Sequence, residues 1–275
     1  MDKRLSNAIA LGFLWIAGIT TVVVLAAVLV YVLANGIGQM TPEFIFTRPH
    51  GVNAEGGIGP TIVSTVYVTA LAMLIVTPIA ILAAVYLAEY AVQGRLVRII
   101  RFAADTLASV PSIVMGLFGL ALFVEALGFD FSMLSAALAL GFLMLPIVMR
   151  TTEEAIRAVP KYIRWGSYGL GASKWQTVSR TVLPAAMPRI LTGIILATGR
   201  AVGETAVVIY TMGQAINVPI TPMDSGRPMT VHLYLLAMEG INLPAAYGTA
   251  LLLMAMILFF NLTARWLLRR SRRIR

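Results

Sequence analysis

Residues 9–34 read IALGFLWIAGITTVVVLAAVLVYVLA, twenty-six positions without a charged side chain. Wound as an α-helix at about 1.5 Å per residue, the run is longer than the roughly 30 Å hydrocarbon core of a bilayer. Lys3 and Arg4 precede it, as a basic segment precedes a signal peptide. A signal core is only about half this long, so a retained membrane span is expected.

Working outward, five more apolar stretches qualify, giving expected spans at 9–34, 61–87, 102–124, 133–149, 190–212 and 245–268. The fourth is the short one, either a re-entrant segment or a helix that Pro146 terminates. None of the six alternates apolar with polar residues, which excludes a transmembrane barrel. Composition agrees: 59% of the 275 residues are hydrophobic, 12% are charged and mean hydropathy is +0.86. A soluble monomer does not expose that much apolar surface, and a disordered chain carries far more charge. The expected fold is all-α and polytopic, one membrane domain over residues 1–275.

A net charge of +9 would suggest nucleic acid in a soluble chain. Here the cations follow the spans instead. With the N-terminus inside, segments 1–8, 91–101, 150–189 and 265–275 hold eighteen of the twenty-one Lys and Arg. Short loops rich in Lys and Arg stay cytoplasmic, so both termini are expected there. The outer loops hold only Arg48 and Arg227, and Arg200 alone falls within a span. No nucleic-acid partner is expected; membrane lipid is.

Several chemistries are disfavoured. With no cysteine there is no disulfide, thiolate or zinc–sulfur site, and two isolated histidines, His50 and His232, argue against a metal centre. No G-x-x-x-x-G-K-[ST] is present to cradle nucleotide phosphates, and no H-E-x-x-H or G-x-S-x-G. No catalytic residue or resident cofactor is expected. Uphill transport by this chain would draw on an ion gradient or on another chain's ATP.

The outer stretch 35–60 is rich in Gly and Pro and reads as irregular, whereas 213–244 suggests a short surface helix around Tyr234. The longest inside stretch, 150–189, contains WGSYGLGASKWQTVSRTVLP at 165–184. It resembles the EAA loop of binding-protein-dependent ABC importer permeases, with Gly171, Leu183 and Pro184 in register. Gly171-Ala172 lies within the LGASKWQT wording close to that family's. Trp165 stands where the family has Glu, and Gly166, Ser167 and Thr181 also depart from its pattern. Two short helices around a glycine turn can present a compact apolar knob to a groove on another protein.

Arg200 and Glu204 fall near the middle of the fifth expected span, where one charge costs about 2.5–3.5 kcal/mol on insertion scales. Spaced i,i+4, they are expected on one helix face within reach of each other. Gly199 and Gly203 form a G-x-x-x-G beside them, suited to close approach by a helix or a substrate. Either the pair locks the bundle as a self-satisfied ion pair, or Arg200 lines a polar path with Glu204 holding its charge in check. A guanidinium fork matches phosphate-like oxyanions. Arg150 either snorkels at the inner end of the fourth span or marks the exit of an anion path. Asp105 is expected to be interfacial or capping, and Pro78 and Pro111 to kink their spans.

The RAVGET of 200–205 is similar to the R-x-x-G-E-T element of phosphate-importer permeases. Matches at Gly57–Pro60, Tyr86–Tyr90, Val110–Val114 and Pro146–Glu154 extend that resemblance. It implies the A-type of two related permeases in a bacterial inner membrane. It also implies a heterodimer with the C-type permease, two ATPase subunits that bind ATP and magnesium, and an external phosphate-binding protein. Other oxyanions such as molybdate or sulfate, an ion-gradient-driven carrier, and a signalling subunit that conducts nothing remain as alternatives.

Overall fold

The structure is a computed structural model that describes residues 3–50 and 55–273. Helix α1 (Lys3–Gly36) leads through a 3₁₀ turn to α2 (Pro42–Phe46), whose first turn Thr41 caps by accepting the Phe44 N–H at 3.1 Å. Two short antiparallel strands, β1 (Pro49–His50) and β2 (Glu55–Gly56), follow before α3 (Gly59–Val85). The stretch expected to be irregular thus contains a capped helix and a hairpin.

Helix α3 continues through a wide π turn to Tyr90. Then come α4 (Arg95–Ser109), α5 (Ser112–Gly119) with its own π extension to Ala126, and α6 (Met133–Arg157). Two short helices, α7 (Lys161–Gly169) and α8 (Lys174–Thr177), lead into α9 (Leu183–Val202). The chain closes with α10 (Ala206–Thr211), α11 (Met229–Met238) and α12 (Leu243–Arg273).

Among the described residues, five helical runs are long and apolar enough to cross a bilayer: Ala10–Gln39, Gly59–Tyr90, Met133–Arg157, Lys174–Val202 and Leu243–Thr263. The third expected span is not straight. Pro111 ends α4, and α4 and α5 meet at 101°, so residues 102–124 form a corner. Proline lacks an N–H and pushes the residue before it out of helical geometry, and Val110 is extended. One face of α4 carries Val97, Ile100 and Ala104 against α6, so tertiary packing rewards the turn.

Pro146 does not end the fourth span either. Helix α6 runs through it to Arg157, twenty-five residues, because the element is enclosed on several sides. Ala136, Ala137, Leu140, Met144 and Val148 of α6 are fully buried, facing Ala72, Val76, Ala80 and Ala84 of α3. Small side chains at every fourth position let two helices approach where no water drives them together. This α3–α6 pair is the spine, with α9, α10, α5 and α4 packed round α6.

The expected surface helix is α11, but its Met229, Val231, His232 and Leu236 are buried. Its first N–H groups have no partner within the helix, and Met229 N–H donates to Thr65 Oγ1 of α3 at 2.8 Å. In the turn before it, Asp224 accepts from the Thr221 and Ile220 N–H groups and the Thr221 hydroxyl, each at 2.8 Å. These bonds, the backbone ones first, hold its carboxyl below the usual range.

Candidate functional site

Two features concentrate polar and exposed apolar groups. The first is the α7–α8 hairpin. Gly171 adopts φ +83°, a left-handed conformation that a side chain disfavours, and its N–H donates back to Tyr168 O at 2.9 Å. Ser173 then starts α8 with a reciprocal cap: its hydroxyl accepts the Gln176 N–H and its N–H donates to Gln176 Oε1 at 2.8 Å. A hydroxyl contact between Ser167 and Thr177 at 2.9 Å closes the two helices on each other.

What this hairpin presents is apolar. Trp165 is 67% exposed, Leu170 90% and Trp175 60%, with Tyr162 beside them. Gly171 and the half-buried Ala172 set the turn that projects Leu170. Leu183 and Pro184 open α9, anchored by the fully buried Val178 and Val182. Such a rigid, exposed apolar knob is suited to a groove in a partner.

The second feature is a row of arginines. Arg200 and Glu204 do not share a helix. Helix α9 ends at Val202, tightened by the bonds Gly203 N–H to Arg200 O at 3.1 Å and Glu204 N–H to Ala201 O at 3.2 Å. Glycine at 203 and the new start at Ala206 break the expected i,i+4 geometry. Among the described residues no ion pair joins the two side chains, and the fifth span ends ten residues earlier than expected, at Val202, so that both charges sit at its end. Arg200 is exposed, Glu204 is half-buried, and its carbonyl accepts the Thr230 hydroxyl at 3.1 Å. Gly199 and Gly203 face α12, near Asn261 and Ile257.

Arg189, Leu196 and Arg200 lie eleven residues end to end on one exposed strip of α9. Beside the strip is a cavity of about 290 Å³ between α9 and α6, lined by Thr151, Glu154, Arg189, Thr192, Gly193 and Leu196. Glu154 also lines a neighbouring cleft of about 220 Å³ with Arg150, Asp105, Arg101 and Arg157. Arg150 Nη1 pairs with Asp105, and its Nε lies 3.5 Å from Glu154 Oε1. Behind them the nearly buried Glu153 carboxylate stands 2.8 Å from both Arg101 and Arg157. Asp105 is therefore a side-chain partner and not a helix cap. The sequence reading missed Arg189, although its spacing from Arg200 places both on one helix face.

A bundle of membrane-crossing helices with an apolar hairpin at one end and a cation-lined face is the architecture of a transport permease. The chain belongs to the family of binding-protein-dependent transport system inner membrane components, which matches residues 77–273. It is 34% identical to the probable ABC transporter permease protein YqgI of Bacillus subtilis, over 97% of this chain and 96% of that one. Phosphate transport system permease protein PstA 1 of Mycobacterium tuberculosis is 35% identical over 100% of this chain and 92% of its own. PstA of Haemophilus influenzae is also 35% identical, over 76% and 74%. The fold is shared with a chain of the bacterial alginate ABC transporter (TM-score 0.69, 15% identity, 98% of each chain). It is shared too with a chain of the inward-facing MetNI methionine ABC transporter (TM-score 0.63, 18% identity, 76% and 93%).

Proposed function

We propose that this chain is the A-type permease subunit of an ATP-driven importer of inorganic phosphate. The observation that carries the reading is the 35% identity to a phosphate permease protein across 100% of the chain. The hairpin and the arginine row give it a mechanism.

In this reading both termini and the hairpin are cytoplasmic, where eighteen of the twenty-one cations collect. The hairpin docks in a groove of a separate ATPase, which binds ATP and magnesium; this chain hydrolyses nothing. With Trp165 at the family's Glu position, Trp165, Leu170 and Trp175 replace a charged contact by an apolar one. A C-type permease, a second ATPase copy and an external phosphate-binding protein complete the assembly.

Phosphate released outside meets the Arg200 fork at the end of α9, with Glu204 near enough in sequence to moderate the local charge. It then moves along the α9 strip past Arg189 towards Arg150. There Asp105 and Glu154 already engage the guanidinium. Their competition keeps phosphate from being held, which suits a path that must release its cargo. Closure of the ATPase pair, passed through residues 161–184, opens the path alternately to each side.

Replacing Arg200 by Ala tests this directly. Phosphate uptake is expected to be lost while the variant still purifies with its ATPase and second permease. Full uptake by that complex overturns the assignment.

A further inference from the structure

The guanidinium of Arg164, on α7, makes more polar contacts than the knob around it requires. Its Nε and Nη2 donate to Glu89 Oε1 at 3.0 and 2.5 Å. Its Nη2 also donates to Ile156 O at 2.9 Å, and its Nη1 to Val159 O at 2.6 Å. Glu89 lies in the last turn of the α3 extension, and the two carbonyls belong to the end of α6 and the residues just beyond it. The side chains of Arg164 and Glu89 are 15% and 8% exposed. One side chain of the hairpin therefore holds the ends of both spine helices.

A cavity of about 570 Å³ opens beside the pair, bordered by Lys161, Trp165 and Tyr168. On that side α7 borders open space, and its apolar tie to the spine helices is the half-buried Ile163, packed against the cluster that holds Val85 and Ile156. A second charged contact repeats the pattern: the Lys174 ammonium of α8 sits 4.8 Å above the Tyr90 ring, next to Glu89.

We propose that Arg164 and Glu89 are positioning residues that couple the hairpin to the membrane spans. A push on the docked knob reaches α3 and α6 together as a rigid-body displacement because the guanidinium spans both. Without the pair the hairpin can yield into the adjoining cavity, and the push is absorbed before it reaches the spine. Geometry favours arginine here, since one planar fork meets a carboxylate and two carbonyls at once, which a lysine ammonium cannot do. The inference rests on the hairpin being the ATPase dock.

The test uses the full complex in sealed vesicles, with ATP hydrolysis and phosphate uptake measured in the same preparation. Arg164→Ala and Glu89→Gln are expected to keep the ATPase bound and hydrolysing, while phosphate moved per ATP falls about tenfold or more. Arg164→Lys is expected to fall between them and the wild type. A simple loss of folded complex would lower hydrolysis and uptake in proportion and leave that ratio unchanged. A ratio within about twofold of the wild type in both variants overturns the proposal. So does failure of both to assemble with the ATPase, which would make the pair a requirement of folding. If the wild-type complex hydrolyses ATP and moves no phosphate, the permease reading itself falls, and this inference with it.

Discussion

Helix crossings in this bundle turn on single hydrogen atoms. A Cβ built on Gly193 of α9 would collide with the Thr151 hydroxyl of α6 and come within 2.7 Å of the Thr151 Cβ. That hydroxyl donates to Ile147 O at 2.8 Å, so a larger residue at 193 would also disturb a bond within α6. Gly199, about 1.7 turns on, is different: its nearest neighbour would be Asn261 at 3.9 Å, an ordinary contact. Gly193→Ala is therefore expected to destabilise the bundle by about 1–3 kcal/mol through overpacking. Gly199→Ala should stay within about 0.5 kcal/mol. Thermal unfolding of the purified complex distinguishes them, and Thr151→Ala in the Gly193→Ala background should recover part of the loss. Equal midpoints for the two glycine variants would show that the α6–α9 crossing is looser than its geometry implies.

At the scale of elements, the hairpin separates folding from docking. Trp165 and Leu170 are exposed and contribute little to the chain's own packing, so their removal should cost affinity and not stability. Trp165→Ala and Leu170→Ala are each expected to weaken association with the ATPase by at least about tenfold, the size of an interface hot spot. The unfolding midpoint of the permease should not change. A lower midpoint with unaltered affinity would move these residues from the dock into the fold. The hairpin was legible in the sequence because Gly171 marks a left-handed turn and because Gly171, Leu183 and Pro184 keep the register of the EAA loop. The membrane runs were legible too, since apolar length suffices to identify them. Their ends were not. Pro111 breaks a span while Pro146 sits inside one, and only the burial of α6 against α3 and α9 tells the two apart. The Gly203 break, which parts Arg200 from Glu204, falls inside an apolar run that reads as one continuous span. Arg164 and Glu89 are seventy-five residues apart, and nothing local in the sequence pairs them.

The whole chain leaves apolar surface that its own fold does not cover. Helix α1 has none of its most apolar window buried and meets the bundle near its end, where Gly36 abuts Tyr247 and the Tyr31 and Tyr247 rings lie 5.7 Å apart. Its exposed apolar length suits a lipid surface. Charge is placed with equal economy: the cations gather at the hairpin end and at the last turns of α12, and Arg200 stands apart. In the proposed reading the chain moves its cargo when another subunit supplies the energy. The most direct measurement is uptake of radiolabelled phosphate by sealed vesicles carrying the purified complex, with the binding protein outside and ATP enclosed or omitted. Uptake is expected to require enclosed ATP, to survive collapse of the proton gradient, and to be unaffected by excess sulfate or molybdate. Uptake that continues without ATP and stops when the gradient collapses would contradict the account.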